Sequence, residues 1–482
     1  MIKKRGPVKF KKKDIPKLNY GVLHSQFGFT DGVSIVMKQI EHIMRYEMKI
    51  PKYKIFYLVG AAKYPSPSIT KNKVLWHRHV VNKLMLSYYD KSYGGDISER
   101  IEEEIKKAKE VIEEFITKNK IDVIIAHNSS HPVNFISSIA LSRYYRDCIA
   151  NNKKTPKYIL WWHDSHLERK RFENPAADVK RYLLEGVPGK YVEYIIFINT
   201  LQSFIAKDYF KEVGKKSPGY YENMLENHDV VYNFANITIN SLNDLKKEKY
   251  ADLVEEFLDD FGIRKLLKKN SCGLGDVLFC LQHTRIVPRK RIDFALRYTY
   301  ELFSKLKEKK MKKAVVFFIS GHHGDEGKYY KTQLIKLNKK LSEQYNTKKF
   351  FLVFAEDYAH GDHHFEEYPM IFSKLGGIST YFSEIEGFGN NLLEVLSGGL
   401  IPVVYTYPVF INDIAKYKFN AVCLNKFEIS KESINQTIDI IQKNRKKKEW
   451  ANKNIKILKN QFSHRIFSAK IKRAIIRKRT HV

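Results

Sequence analysis

ISTYFSEIEGFGNNLLEVLSGGLIPVVYTY, residues 378–407, reads as strand, turn, helix and strand. Two β-branched apolar runs flank a segment in which Leu392, Leu393, Val395 and Leu396 recur at helical spacing, and Gly398 and Gly399 stop it. Gly387 and Gly389 allow a tight turn before that helix, with Asn390 expected as its N-cap. A strand, a covering helix and a second strand form one unit of a parallel α/β sheet.

The same alternation fills the chain. In the first half NYGVLHS, YKIFYLVG, IDVIIAH, KYILWWH, EYIIFIN and DVVYNF read as strands; in the second half DVLFCLQH, KAVVFFIS, FFLVFAE, ISTYFSE, IPVVYTY and NAVCLN do. Amphipathic segments separate them, such as residues 96–118, where Asp96 and Glu99 are spaced as a capping box. The pattern pauses at NSCGLGD, residues 270–276. The expected fold is therefore α/β, two Rossmann-like domains, residues 1–270 and 271–454, whose parallel sheets face each other across a cleft. A C-terminal helix, about 455–482, is expected to return to the first domain.

At 482 residues the chain is long enough for two ordinary cores. Its formal charge of +32 points to an anionic partner without choosing among nucleotide, nucleic acid and acidic lipid. The four cysteines are scattered, with no CxxC pair, which suits a reducing cytoplasm. No apolar signal-peptide core follows the charged N-terminus, and no apolar run has spanning length.

Polar clusters fall just after strands, where open α/β sheets bind ligands. Glu386 lies on the turn and Glu394 inside the helix after ISTYFSE, flanking backbone N–H groups suited to phosphate. Carboxylates beside such a site suit hydroxyl groups, which donate to them. After DVLFCLQH, Arg285 and Lys290 bracket Pro288 at a helix start, a guanidinium and an ammonium matched to two phosphates. In the first half His127 and Asn128 follow IDVIIAH, and His163, Asp164, Arg169 and Arg171 follow KYILWWH, offering polar and cationic groups for an acceptor.

EGFGNNLLEVLSGGLIPVV resembles the E-x7-E signature of the retaining glycosyltransferases of family four, of the GT-B fold, and RIVPRK resembles their phosphate-binding Arg/Lys segment. The resemblance covers about residues 276–425. It implies that Glu394 accepts from ribose hydroxyls, Glu386 from the transferred sugar, and that Arg285 and Lys290 neutralise the diphosphate. Backbone N–H groups around Phe388, Gly389 and Asn390 complete the cradle, with His322 near the phosphates. In the first domain Gly32 resembles the glycine of the first loop, its usual double glycine reduced to Asp31-Gly32, and His163 resembles the strand-end histidine facing the sugar. Asn390-Asn391 departs from the apolar residue and proline common in relatives.

The function implied is retaining transfer of a hexose from a UDP- or GDP-sugar to the hydroxyl of a glycan, lipid-linked or small-molecule acceptor. Glu386, His163, Arg285 and Lys290 carry the chemistry, with no cofactor, no required metal and no nucleic acid. The protein is expected to be cytoplasmic, with possible peripheral contact between its basic face and an anionic membrane. One alternative is a metal-dependent hydrolase using the His/Asp clusters at 322–326 and 360–364. The other is a non-enzymatic binder of nucleic acid or an anionic surface, using the basic amphipathic stretch in which Phe462, Ile466, Phe467, Ile471, Ala474 and Ile475 recur.

Overall fold

The computed structural model describes residues 10–29, 32–216, 224, 226–234, 237, 239–323, 328–358 and 365–477. It contains two compact units, Met1–Asn233 with His464–Val482, and Phe234–Ser463.

The first unit holds a seven-stranded sheet in the order β3-β2-β1-β4-β5-β6-β7. Its strands are β1 (Tyr20–Phe27), β2 (Ile55–Ala62), β3 (Ile69–Lys71), β4 (Val123–His127), β5 (Lys157–Trp162), β6 (Tyr194–Phe197) and β7 (His228–Val230). The second unit holds a six-stranded sheet in the order β10-β9-β8-β11-β12-β13. There the strands are β8 (Val277–Gln282), β9 (Ala314–Ile319), β10 (Phe350–Phe354), β11 (Ile378–Tyr381), β12 (Pro402–Tyr405) and β13 (Val422–Leu424). Every pairing is parallel. Each apolar run named above thus forms a strand, and the two Rossmann-like domains are present. Only the short, exposed edge strand β3 is absent from the sequence reading, because ITK carries too little apolar pattern to stand out. Strands β4, β5, β8 and β9 are buried throughout, which is why they read as unbroken apolar runs.

The structure divides the chain at residue 233, not 270. Helix Lys249–Asp260 and the helix after it bury Val254, Phe257, Phe261, Ile263 and Leu267 with Phe279, Val316 and Phe318 of the second sheet. The pause at 270–276 is therefore a loop inside the second unit.

Helix Asn444–Gln461 also belongs to the second unit, and only His464–Ile476 joins the first. That last helix buries Phe467, Ile471, Ala474 and Ile475, while Ile466 faces outward with Arg465, Arg473 and Arg477. Phe462, expected on the same stripe, instead packs in the second unit against Tyr417 and Phe419. Lys157 Nζ caps the last turn, donating to the carbonyls of Ile475 (3.1 Å) and Arg477 (2.6 Å). Lys478 and Arg479 lie outside the described residues.

Helix Gly95–Lys118 has Gly94 as N-cap with no side-chain bond, so the expected Asp96/Glu99 box does not form; Asp96 sits in the first turn, favourable to the helix dipole. Among the described residues no helix is long and apolar enough to cross a membrane.

Candidate active site

In each sheet the strand order reverses beside one central strand, between β8 and β11 in the second unit and between β1 and β4 in the first. Ligands of such folds bind beyond the carboxyl ends of the strands at that reversal. The sequence places its polar clusters at these two points.

In the second unit the turn after β11 carries Glu386, whose side chain is 9 % exposed. Lys290 Nζ donates to Oε1, Tyr381 Oη donates to the same oxygen at 2.6 Å, and an Arg289 guanidinium nitrogen lies 3.7 Å from Oε2. Burial pushes the Glu386 carboxyl up, but the charges of Lys290 and Arg289 and the two hydrogen bonds outweigh it and hold the group below its usual range. Burial draws the Lys290 ammonium down, against the pull of Glu386. Carboxylate and ammonium, read separately in the sequence, are one buried ion pair.

Helix Asn390–Ser397 begins beside this pair. Its N-cap is Gly389, not Asn390. Gly389 has φ of +112°, and a Cβ there would meet Tyr407 Oη at 2.2 Å. That hydroxyl donates to the Phe388 carbonyl at 2.9 Å, so the turn admits only glycine and leaves no room for a capping side chain from its own position. Asn391, one half of the unusual Asn-Asn pair, donates from Nδ2 to the His283 carbonyl at 2.7 Å and ties the helix to the end of β8.

Glu394, one turn in, accepts from His283 Nε2 at 3.0 Å. Arg285 is exposed on the loop after β8 and makes no side-chain hydrogen bond or ion pair among the described residues. That loop runs close to the one after β9: a Cβ on Gly321 would sit 2.3 Å from the Thr284 carbonyl oxygen, and the Ile286 N–H donates to the His322 carbonyl at 3.1 Å. His322 is exposed there. Glu386, Lys290, Glu394, Phe388, Gly389, Asn390, Arg285 and His322 thus all lie on loops or helix starts at the carboxyl ends of β8, β9 and β11.

In the first unit His127 ends β4, is 1 % exposed, and shares a hydrogen bond between its Nδ1 and His163 Nε2 at 2.9 Å. The rings of His127 and His163 stack at 5.3 Å, and Trp161 stacks on His127 from its own 5.4 Å. His24 of β1 donates from Nδ1 to the His127 carbonyl at 3.0 Å. Burial, with His163 and His24 adding to it, holds His127 well below the usual histidine range, so it is neutral. Its Nε2 and Asn128 Oδ1 are buried without a hydrogen-bond partner among the described residues. Asn128 itself sits in the left-handed region at φ of +59°, which asparagine tolerates.

Asp164 and Arg169, assigned separately to the acceptor, form an ion pair, with Arg169 Nε donating at 2.8 Å. Glu168 lies beneath them, accepting from Trp162 Nε1 (2.7 Å), Ser165 Oγ (2.8 Å) and Gln202 Nε2 (2.8 Å). Burial, then the charge of Asp164, push its carboxyl up to about 7. Gly32 is the exposed first residue of helix Gly32–His42; its neighbour Asp31 lies outside the described residues.

Sequence reasoning missed His283, Tyr381, Arg289 and Tyr407 in the second unit and His24, Glu168 and Gln202 in the first. Strand-end position was the available signal for His283 and Tyr381; the others are joined to their partners only by the fold.

Of the two clusters considered for metal hydrolysis, 324–326 and 360–364 lie outside the described residues. His323 is engaged by Glu356, through its backbone N–H at 2.9 Å and its Nδ1 at 2.8 Å. Among the described residues no group of three or more His, Cys, Asp or Glu side chains is placed to hold a metal.

Two Rossmann-like units of seven and six parallel strands, with polar groups gathered at their strand ends, are the GT-B fold of glycosyltransferases. The chain is 26 % identical over 428 residues to the mannosylglucosylglycerate synthase of Petrotoga mobilis, spanning 84 % of this chain and 86 % of that protein. Among solved structures it is similar to Escherichia coli trehalose-6-phosphate synthase, OtsA, bound with UDP-2-fluoro glucose (TM-score 0.61, 9 % identity, 95 % of this chain and 99 % of that one). It is also similar to Anabaena HepE in complex with UDP-glucose (TM-score 0.55, 12 % identity, 94 % and 98 %). No family model matches. The fold is that of the GT-B glycosyltransferases, and these likenesses support a glycosyltransferase role and do not favour the hydrolase reading.

Proposed function

We propose that the chain transfers a hexose from a UDP- or GDP-sugar to an acceptor hydroxyl, with retention of configuration and without a metal. The observation that carries this is the buried Glu386, gripped by Lys290, Arg289 and Tyr381 beside the start of helix Asn390–Ser397. A carboxylate held ionised accepts from sugar hydroxyls, and the cations around it together with the positive end of the helix dipole suit a diphosphate. Arg285, exposed on the neighbouring loop, supplies a forked donor for the same group. Glu394 takes the ribose hydroxyls.

In the reaction the bond between the sugar's anomeric carbon and the diphosphate oxygen breaks, and negative charge grows on that oxygen. Arg285, Lys290 and the helix N-terminus stabilise it. The acceptor oxygen bonds to the same face of the anomeric carbon, and its proton passes to a phosphate oxygen of the leaving group. Glu386 positions the sugar and forms no covalent intermediate. His163, its ring fixed by His127, donates to a hydroxyl near the reacting centre. Gly32 opens the first helix on this side.

For the acceptor we favour a small glycoside bearing a carboxylate. The Petrotoga relative is named for a glycerate-containing product, Arg169 is paired with Asp164 on the loop after His163, and Arg171 is exposed two residues further on. The outward face of helix His464–Ile476, with Arg465, Ile466, Arg473 and Arg477, supports peripheral contact with anionic lipid.

A thermal-shift panel of UDP- and GDP-sugars tests the donor, since a bound ligand stabilises the folded state. One sugar nucleotide should raise Tm, and adding glucosylglycerate should release the nucleoside diphosphate equally with and without EDTA. Indifference to every sugar nucleotide would overturn the reading.

A further inference from the structure

His283 follows the last residue of β8 and its side chain is fully buried. Both ring nitrogens are engaged: Nε2 meets Glu394 Oε2 at 3.0 Å and Nδ1 meets Ser320 Oγ at 2.9 Å. Phe365 covers one ring face, the centroids 4.0 Å apart and the planes at 21°. Asn391 holds the backbone carbonyl. The ring is thus fixed by three independent contacts and its backbone by a fourth.

The chemistry sets the direction of these bonds. An ionised carboxylate only accepts, so Nε2 carries the proton and donates to Glu394, leaving Nδ1 to accept from the Ser320 hydroxyl. A helix-surface glutamate otherwise samples several rotamers, and fixing it costs side-chain entropy whenever a ligand binds. Here the bond to His283 fixes one oxygen in advance. Glu394 Oε1 has no hydrogen-bond partner among the described residues, and the side chain is 22 % exposed. One oxygen is anchored and the other is presented.

We propose that His283 is the positioning residue through which the donor site reads ribose: by locking Glu394 it presents Oε1 to the 2′- and 3′-hydroxyls and so selects ribonucleoside over 2′-deoxyribonucleoside diphosphates. This rests on the reading of Glu394 given under Proposed function. A histidine that merely packed the strand end would affect ribo- and deoxyribonucleotides alike.

The test is calorimetric titration of the full-length protein with UDP, GDP, 2′-deoxy-UDP and 2′-deoxy-GDP. The wild type should favour the ribonucleotide of whichever base it binds by ~10-fold or more, the size of one hydrogen bond to a charged group. His283→Leu should bring that ratio to about 2-fold or less, with the deoxynucleotide, which keeps only its 3′-hydroxyl, weakened less than the ribonucleotide. His283→Gln, which keeps a donor near the Nε2 position, should retain most of the preference and guards against a simple folding defect. The proposal is overturned if His283→Leu keeps the wild-type ratio, or if both variants weaken ribo- and deoxynucleotides equally. If the wild type does not discriminate, or Glu394→Ala still does, the ribose role of Glu394 has failed and this proposal goes with it. Loss of discrimination in Glu394→Ala but not in His283→Leu removes the role of His283 alone.

Discussion

The two strand-end sites each bury a carboxylate, and they treat it in opposite ways. Glu386 in the second unit touches an ammonium and a phenol, with a guanidinium nearby, and is held below its usual pKa. Glu168 in the first unit is surrounded by neutral donors, Trp162, Ser165 and Gln202, and is pushed up to about 7. Hydrogen bonds alone do not offset the loss of hydration, whereas nearby cations do. On the proposed function, the charged site suits an anion that must be neutralised as it leaves, and the first unit's neutral His127, stacked on His163, suits the orienting of hydroxyls.

The largest effect should come from removing the cation that makes this difference. Lys290→Met strands the Glu386 charge and should cost about 3–5 kcal/mol in urea unfolding of the second unit, partly restored by adding Glu386→Gln. A neutral outcome would mean the pair contributes nothing to holding the site. Next, Glu386→Gln should slow transfer by about 10²–10³-fold, through lost alignment and charge at the reacting centre. His127→Phe should slow it much less, and equal effects would erase the functional contrast between the sites.

The pH dependence of stability should differ in sign between the two carboxylates. Glu168 has a folded-state value near 7 against 4.5 unfolded, so between those values the folded state holds more protons and stability falls as pH rises. Denaturant melts at pH 5 and pH 8 should differ by on the order of 3 kcal/mol more in the wild type than in Glu168→Gln. For Glu386 the folded value lies below the unfolded one, so its contribution is present above the unfolded value and is lost as pH falls through the folded one. Acid should therefore weaken the wild type more than Glu386→Gln; a matching acid profile would contradict the direction assigned.

Smaller effects concern the turn. Gly389→Ala meets both a positive φ and Tyr407 Oη and should destabilise by about 1–3 kcal/mol, with weakened nucleotide binding. Tyr407→Phe removes only the bond to the Phe388 carbonyl and should cost about 1 kcal/mol by thermal melt.

The strand order of neither sheet is written locally, but the strands themselves are, because parallel strands buried on both faces read as apolar runs such as AVVFFI. Domain division was less legible. A glycine-bearing break at 270–276 marks a turn equally well inside a unit, and only the packing of Phe257 and Phe261 on the second sheet shows where helix 249–260 belongs. At the site, positions after strand ends were readable from Glu386, Lys290, His127 and His163. Their pairings were not: Lys290 and Glu386 are 96 residues apart, and which cation meets which carboxylate depends on how β8 and β11 come together. The N-cap was misplaced by one residue because Asn390 is the better cap by residue type, while Tyr407, 18 positions beyond Gly389, leaves space only for glycine.

The most direct test of the central claim, that the strand ends of the second unit hold a sugar nucleotide by its diphosphate and its hydroxyls, is calorimetric titration of UDP-glucose and GDP-mannose into wild type, Arg285→Ala and Glu386→Gln. The account predicts saturable binding of one of the two by the wild type, weakened at least ~10-fold in both variants. Binding of neither nucleotide sugar, or binding untouched by both substitutions, would contradict it.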